Sequence, residues 1–527
     1  MSASSKKKLR REQEAAKMTE KQLAALKEAK KTNLYTTVFV VAMVAILVIA
    51  ITVGVTQFIT NSGIREKNTT ALTIGQHELS NAELNYYYID SINSFYSQNS
   101  SYASLFGLDV SAPLNEQVFD ESTGDTWADY FVDAAISTAT SVYAMNDAAK
   151  AEGFTLPAEE AANIDTIMSN FELYAMMYGF SDTESYIKAM YGKGATAESL
   201  RSYMEMSVIA EAYNAAHQNA LVYEEADLRA AEAENPSQYD SFSYNYYYLA
   251  ATRFQEGGTT AEDGSVTYSA EEEAAALAAA EAAANSLVES AVTLEELDAA
   301  IDALPVNSET TAKTTNYSNY AYDSIDTDLA AWLAEDGRQE GDIAVVANYS
   351  GEEILGYYVV YFIEKNDNNV AMKNVRHILV SFEGESDEEK AAAKAEAEQI
   401  LADWQAGEAT EDSFGALAME ISDDTGSTEV GGLYEDIYPG QMVSAFENWC
   451  FDASRATGDT GIVETEYGYH IMYFVGSSEE TYRDHMIRES LMEADQSEWY
   501  NAIVGAVSYT EGNTKYLTRD MVLAANG

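Results

Sequence analysis

Two of the five histidines in this 527-residue chain stand inside short apolar segments. His377 lies in Arg376–Val380, and His470 lies in Gly468–Phe474. Side chains alternate between the two faces of a β-strand, so each imidazole shares a face with apolar neighbours and the two can meet across adjacent strands. Together with one carboxylate, such a pair can ligate a metal ion or form a hydrogen-bonding network. The residue types alone leave both readings open.

The other candidate reactive groups lack such a context. His77, His217 and His485 are not part of any recurring pattern, and we assign them no role. Cys450 is the only cysteine, so neither an intramolecular disulfide nor a thiolate metal cluster can form. Its segment, residues 446–451, has the spacing of a buried helix, and we expect a core residue rather than a reactive thiol.

The segment that holds both histidines, residues 370–477, has the pattern of an α/β domain. We predict the order strand, helix, helix, turn, helix, strand, strand. One face of the first helix carries Ala393, Ala397, Ile400, Leu401 and Trp404, and Gly407 ends that helix. The strands that flank the helices are the two that carry the histidines.

Residues 241–366, the first copy, repeat the order of residues 370–477, the second copy. Each copy begins with a short apolar strand, continues through an Ala-rich helix and ends on a Gly-Tyr strand. In this alignment Tyr247 and Tyr358 take the two histidine positions. We therefore expect one fold in both copies, with titratable site groups only in the second.

Residues 66–240 have helical apolar spacing and two predicted capping boxes, Ser80 with Glu83 and Ser181 with Glu184. The predicted helices cover residues 81–97, 127–152, 158–178, 182–191 and 197–233. Frequent Tyr and Met favour either a groove for unfolded chains or ordinary helix packing, and for any single residue we favour packing.

The N-terminus predicts a membrane anchor. Residues 34–59 contain no charge and are long enough for a helix to cross a ~30 Å hydrocarbon layer. The stretch exceeds the ~7 to 15 apolar residues of a cleavable signal, so we favour a retained anchor. Ten Lys or Arg precede it within the first 33 residues, which predicts a cytoplasmic N-terminus and an exterior chain.

The charge of the chain also differs between residues 1–33 and the residues that follow. After residue 33 the chain has 20 basic and 83 acidic residues, and the net charge of all 527 residues is -57. Such an acidic surface argues against nucleic-acid binding, which needs Lys and Arg to neutralise phosphates. With a single cysteine, an exported chain relies on no internal disulfide. This is more typical of a Gram-positive type of envelope, where disulfide formation is not relied upon.

Several motifs of the second copy resemble, in order, those of the parvulin-type prolyl isomerases. They are Arg376–Val380, Phe414–Ala418, Ile421–Asp424, Gly431–Leu433, Gly440–Val443 with Phe446–Glu447, and Gly468–Ile471. The helical region and the predicted anchor more weakly resemble PrsA-like and SurA-like extracytoplasmic foldases. The motif order favours a functional histidine pair over a metal site.

The resemblance implies roles for five residues. His377, Asp424 and His470 would be catalytic, and Met442 and Phe446 would wall a proline pocket. Position 424 carries Asp where parvulins have Cys or Asp, which argues against a covalent mechanism. The resemblance implies no cofactor and no metal ion.

The substrates implied are unfolded, exported polypeptides that contain Xaa-Pro bonds. The segment 381–389 is acidic, so it would repel a phosphorylated substrate. We predict a membrane-anchored extracytoplasmic isomerase and chaperone, with a holdase on an inactive parvulin scaffold as the alternative. A structural surface protein would leave the ordered motifs unexplained, and homodimer formation stays open.

We therefore predict an α+β chain with an N-terminal transmembrane helix, a mostly helical chaperone-like domain, two parvulin-like domains of which the first is degenerate, and a C-terminal helix that packs back on the helical domain. The predicted segments are a cytoplasmic tail at 1–33, the transmembrane helix at 34–59, the helical domain at 66–240, the degenerate domain at 241–366, the isomerase domain at 370–477 and the C-terminal segment at 478–527.

Overall fold

A computed structural model describes residues 63–100, 102–260, 265–304, 314–382, 384 and 386–523. The predicted tail and transmembrane helix, residues 1–33 and 34–59, lie outside these ranges. Within the described ranges, no helix combines the length and the apolar character needed to span a membrane. The described chain divides into two compact units, residues 63–222 with 492–523, and residues 223–491.

The first unit is mostly helical. Its helices up to residue 222 are α1 Ile64–Asn68, α2 Asn81–Asn99, α3 Trp127–Ala151, α4 Ala158–Met177, α5 Thr183–Tyr191 and α6 Ala197–Ala220. Its strands are β1 Thr70–Ile74, β2 His77–Ser80, β3 Val118–Asp120 and β4 Asp125–Thr126. The predicted capping box of Ser80 and Glu83 starts α2.

Two predictions in this region are wrong. Helix α5 is capped by Asp182, whose carboxylate accepts from the backbone N–H of Ser185 at 2.7 Å, so the predicted Ser181 and Glu184 box does not form. The predicted helix 197–233 is two helices, because Leu221 is extended and Glu224 caps a new start.

The second unit combines helices with two four-stranded sheets. Its helices are α7 Glu225–Glu234, α8 Ala270–Ser290, α9 Leu294–Asp302, α10 Thr327–Ala334, α11 Asp387–Gln405, α12 Glu411–Ile421, α13 Ser444–Cys450 and α14 Tyr482–Val504. Its strands are β5 Ser241–Ala250, β6 Thr259–Thr260, β7 Val266–Thr267, β8 Thr315–Ala321, β9 Ile343–Ser350, β10 Glu353–Asn366, β11 Ala371–Ser381, β12 Leu433–Ile437, β13 Thr460–Glu464 and β14 Gly468–Thr481.

The two sheets have the same antiparallel arrangement. The first copy has the strand order β8-β5-β10-β9, and the second has β12-β11-β14-β13. Each pairs its first long strand with its last long strand at the centre. The internal repeat of the sequence is therefore a repeat of the sheet, and the edge strand β12 replaces the predicted turn of the second copy.

The sheet of the second copy separates two apolar clusters. On one face, Ile378 and Ile471 pack against Phe414 and the other buried residues of α11 and α12. On the opposite face, Met472 and Phe474 pack with residues of α13. The histidine-bearing positions of β11 and β14 face this second side.

The chain returns to the first unit at its end. Trp499 and Ile503, near the end of α14, pack against Met145 of α3 and Tyr213 of α6. A last strand, β15 Tyr509–Glu511, pairs with β1. The described residues from Met492 onward thus belong to the helical unit, whereas Tyr482–Leu491 of α14 belong to the second unit.

A buried arginine joins separate segments of the second unit. Arg483, at the start of α14, donates to the carboxylate of Asp240 at 2.8 Å, to Glu232 at 2.5 Å and to the carbonyl of Asp367 at 2.8 Å. Both Arg483 and Asp240 are buried, and Lys365 is the second cation on Asp240. A buried ion needs such partners, because an unpaired charge in the interior is costly.

We expect the substitution Arg483→Met to lower the free energy of unfolding by about 3 kcal/mol, because it leaves two carboxylates without their main partner. Urea unfolding followed by circular dichroism measures the loss. The matched control is Arg488→Met, whose pair with Glu480 is partly exposed and worth less than about 1 kcal/mol. Equal losses in the two variants would contradict the role of Arg483.

Candidate active site

The central strands of the second copy bring the two histidines together. His377 pairs with Met472 across β11 and β14, and His470 pairs with Leu379, so the histidines are diagonal neighbours on one face. Their Nδ1 atoms are 3.0 Å apart and form a hydrogen bond. The side chains are almost fully buried, with 2% of His377 and 6% of His470 exposed.

Asp424 extends this pair at its other end. Its Oδ2 atom lies 2.9 Å from Nε2 of His377. The hydroxyl groups of Ser427 and Tyr434 also donate to Oδ2, the second at 3.0 Å. The hydrogen bond from His377 is the main cause that holds the pKa of Asp424 well below its usual range, and those from Ser427 and Tyr434 add to it against the effect of burial.

One arrangement of protons satisfies the whole chain of hydrogen bonds. Asp424 is an anion and accepts from Nε2–H of His377, which leaves Nδ1 of His377 as an acceptor. His470 then donates through Nδ1–H, and its Nε2 accepts from the hydroxyl of Thr465 at 2.9 Å. Burial is the main cause that lowers the pKa of His470 to about 4, which keeps that ring neutral.

This arrangement also bears on whether the two histidines and Asp424 bind a metal ion. Each ring nitrogen of the pair already has a hydrogen-bond partner in Thr465, Asp424 or the other ring. The geometry is that of a continuous chain of hydrogen bonds that uses all four ring nitrogens. The hydrogen-bonded chain therefore favours a fixed electrostatic environment as the role of the two histidines, rather than metal ligation.

Apolar and aromatic side chains line the same face. The ring of Phe446, on α13, stands edge-on to both histidine rings, at centroid distances of 5.4 Å from His377 and 5.3 Å from His470. Met442 is half-buried against the cluster that contains Phe446 and Met472. Four of the five residues named from the sequence, His377, Asp424, His470 and Phe446, therefore lie together, and the fifth, Met442, packs against the apolar cluster that contains Phe446.

The loop that carries Asp424 and Ser427 is held by the strand that carries His377. The backbone N–H of His377 donates to the carbonyl of Gly432 at 2.8 Å. Gly432 has φ +68°, and a Cβ there would lie 2.0 Å from the carbonyl oxygen of His377, so only glycine permits this approach. Arg376 donates to the carbonyls of Val430 and Gly431 from the other side.

Three polar members of the site were missed from the sequence. Tyr434 stacks on His377 with ring centroids 4.9 Å apart, and Ser427 and Thr465 donate at the two ends of the chain. Tyr434 lies on β12, opposite Val375, so it shares the face of His377. Once β12 is recognised as a strand, its alternation would have indicated Tyr434.

Cys450 lies outside the polar chain. It is fully buried in α13, and burial raises the pKa of its thiol to about 12. A thiol with that pKa and no solvent access is not a nucleophile at neutral pH. The expected core role is in accord with its packing against Phe446.

The first copy has tyrosines in the equivalent positions. Its strand register places Tyr246, not Tyr247, where the second copy has His377, while Tyr358 does take the place of His470. Tyr247 instead packs on the opposite face, against α8 and α9. The predicted alignment is wrong by one residue in β5, because apolar similarity alone does not fix the register of a short strand.

Residues 357–476 match the model of the PPIC-type PPIASE domain. The chain carries a parvulin-type domain. The foldase protein PrsA 1 of Listeria innocua is 35% identical over 105 residues, which are 20% of this chain and 31% of that protein. The chaperone SurA of Chromohalobacter salexigens is 35% identical over 127 residues, which are 22% of this chain and 27% of SurA.

The predicted resemblance to the parvulins and to PrsA-like and SurA-like foldases is thus confirmed. The match spans about a third of the length of the PrsA relative. The crystal structure of PrsA from Bacillus subtilis aligns with 59% of this chain, and the alignment includes 85% of the PrsA chain, at 18% identity and a TM-score of 0.18.

We expect His470 to make the stability of the fold depend on pH. Its pKa is lowered from 6.5 to about 4 in the folded state, so between these values the unfolded chain binds a proton that the native chain does not. This stability is fully present above pH 6.5 and is lost as the pH falls towards 4. At pH 5 the loss is on the order of 2 kcal/mol relative to pH 7.5.

Urea unfolding at the two pH values measures this loss in the wild type and in a His470→Gln variant, which cannot titrate there. The wild type should lose more stability than the variant by that amount. His485→Gln, on α14 and outside the site, is the control and should behave as the wild type. An equal pH dependence in wild type and His470→Gln would show that His470 is not held neutral.

Proposed function

We propose that the chain is a membrane-anchored, extracytoplasmic peptidyl-prolyl cis-trans isomerase that assists the folding of exported polypeptides. The observation that carries the proposal is the buried chain from Thr465 through both histidines to Asp424, beside Phe446 and the apolar cluster against which Met442 packs. Its position inside a PPIC-type domain supports the reaction type.

The reaction requires the stabilisation of a twisted amide. Partial double-bond character of the Xaa-Pro C–N bond gives a barrier of ~18–20 kcal/mol, and isomerisation takes tens to hundreds of seconds without a catalyst. The twisted amide has lost that resonance, so its carbonyl and nitrogen carry a different charge distribution from either planar isomer. An enzyme accelerates the reaction by interacting more strongly with the twisted form.

The site offers the parts for such selectivity. Met442 and Phe446 would hold the pyrrolidine ring by apolar contact. His377, Asp424 and His470 would act on the amide through the fixed charge and dipoles of their hydrogen-bonded chain, without reorganisation during the reaction. No covalent bond forms and no proton needs to be transferred, so the neutral state of His470 suits the task.

The charge pattern of the N-terminal residues supports a location of this domain outside the cell. The uncharged stretch 34–59, after a basic tail, supports a single membrane span with a cytoplasmic N-terminus. The relatives that match the domain are named as a foldase and as a chaperone. Unfolded exported chains with Xaa-Pro bonds are therefore the proposed clients.

A holdase is the second candidate, and the first copy favours it. Its sheet keeps the same strand order although Tyr246 and Tyr358 replace the histidines. The fold can thus persist without the polar chain. The two candidates differ in whether removal of that chain changes the rate of isomerisation.

We expect the full chain to accelerate isomerisation of an Xaa-Pro tetrapeptide and the proline-limited refolding of an unfolded protein. The triple variant His377→Ala, Asp424→Ala, His470→Ala should lose at least about tenfold in kcat/KM, because it removes the preorganised polar groups. His485→Ala is the matched control. An inactive wild type, or a triple variant with full activity, would reject the enzymatic function in favour of a holdase.

The hydroxyl of Tyr434 allows a finer test. Tyr434→Phe keeps the ring on His377 and removes one donor from Asp424, so we expect kcat to fall about threefold to tenfold with little change in KM. Tyr469→Phe is the control, since it also loses a hydrogen bond to a carboxylate, that of Glu464, but on the opposite face of the sheet. Equal kinetics in both variants would remove Tyr434 from the site.

A further inference from the structure

The loop 438–442 joins β12 to α13 and carries the proposed pocket residue Met442. Within its own domain the loop is fixed at two points. The backbone N–H of Gly440 donates to the carboxylate of Glu447 at 2.7 Å. The ring of Tyr438 stacks on Tyr482 at a centroid distance of 4.1 Å, with the two planes parallel to within 1°.

The third attachment of this loop comes from the first copy. Nδ2 of Asn319, on β8, donates to the carbonyl oxygen of Pro439 at 2.5 Å. Gly440 has φ +91°, and a Cβ at that position would lie 3.1 Å from Nδ2 of Asn319. The absence of a side chain at Gly440 therefore lets the two segments meet.

Asn319 is itself held rigidly. It has φ +53°, a conformation that Asn tolerates better than most residues. Its backbone N–H donates to the hydroxyl of Ser243 at 3.0 Å, and its Oδ1 accepts from Asn366 at 3.1 Å. These partners lie on β5 and β10, the two central strands of the first copy, so the donor to Pro439 is fixed to the body of that sheet.

We propose that Asn319 is a positioning residue for the substrate pocket, through which the first copy holds the Met442 loop of the second. The inference rests on the proposed function, because it assigns Met442 a contact with the proline ring. Loss of the Nδ2 donor would free the loop at Pro439 and loosen one wall of the pocket. A wall that touches the ring in planar and twisted forms alike changes KM more than kcat.

The test compares the full chain with its Asn319→Asp variant, which keeps the backbone preference and replaces the donor by an acceptor. KM for an Xaa-Pro tetrapeptide should rise at least threefold while kcat stays within twofold. The matched control is Asn316→Asp on the same strand, whose side chain donates to Asn245. Unchanged KM in Asn319→Asp, or an equal rise in Asn316→Asp, overturns the inference.

Two further measurements keep the result interpretable. Asn319→Gly permits the same backbone angle without the side chain, so a parallel rise in KM is expected even where Asn319→Asp does not fold. Binding of the same peptide, followed by fluorescence, is measured beside turnover. Weaker binding by Asn319→Asp with an inactive wild type would support the positioning role and reject the isomerase activity, whereas equal binding would overturn the positioning role.

Discussion

The antiparallel pairing of β11 with β14 determines which side chains reach each side of the second sheet. With His377 opposite Met472, both histidines face α13, while Ile378 and Ile471 face the helices α11 and α12. A shift of one residue in either strand would move its histidine into the apolar cluster on the other side. The cost of burying an imidazole there, without partners, keeps the register and the site in place together.

The first copy has the same central strand pairing, and its likeness to the second copy extends beyond the sheet. In α10 of the first copy and α13 of the second, a tryptophan is followed six residues later by an arginine that lies over its ring, Arg338 on Trp332 and Arg455 on Trp449. In both copies this arginine also donates to the tryptophan carbonyl. The supporting structure is thus duplicated in detail, and the difference between the copies is concentrated in the side chains on one face of the central strands.

Much of this arrangement could be predicted from the sequence, since it depends on local patterns. The two-residue period of the strands indicated that His377 and His470 share a face, and the capping box at Ser80 was correct. Asp424 entered only through the resemblance, because nothing local brings a loop residue to a strand. Its position depends on Gly432 and on long-range hydrogen bonds.

The failures have a common origin in marginal local signals. The strand β12 is five residues long and two of them, Glu435 and Asp436, are acidic and exposed, so only its pairing with β11 makes it a strand and makes Tyr434 part of the site. The break at Leu221 contains neither Gly nor Pro, and the capping interaction of Glu224 with Asp227 decides where the next helix begins. In each case a contact distant from the pattern, or a competing cap, outweighs propensity.

The acidity of the chain and the chemistry of its site are physically separate. The net charge of -57 belongs mainly to exposed groups, whose fields decay over about 8 Å at physiological ionic strength. Asp424 is instead stabilised as an anion by three donors within hydrogen-bonding distance, and His470 is kept neutral mainly by burial. Surface carboxylates can therefore vary widely, with consequences for solubility and for encounter with basic segments, while the polar chain keeps its protonation state.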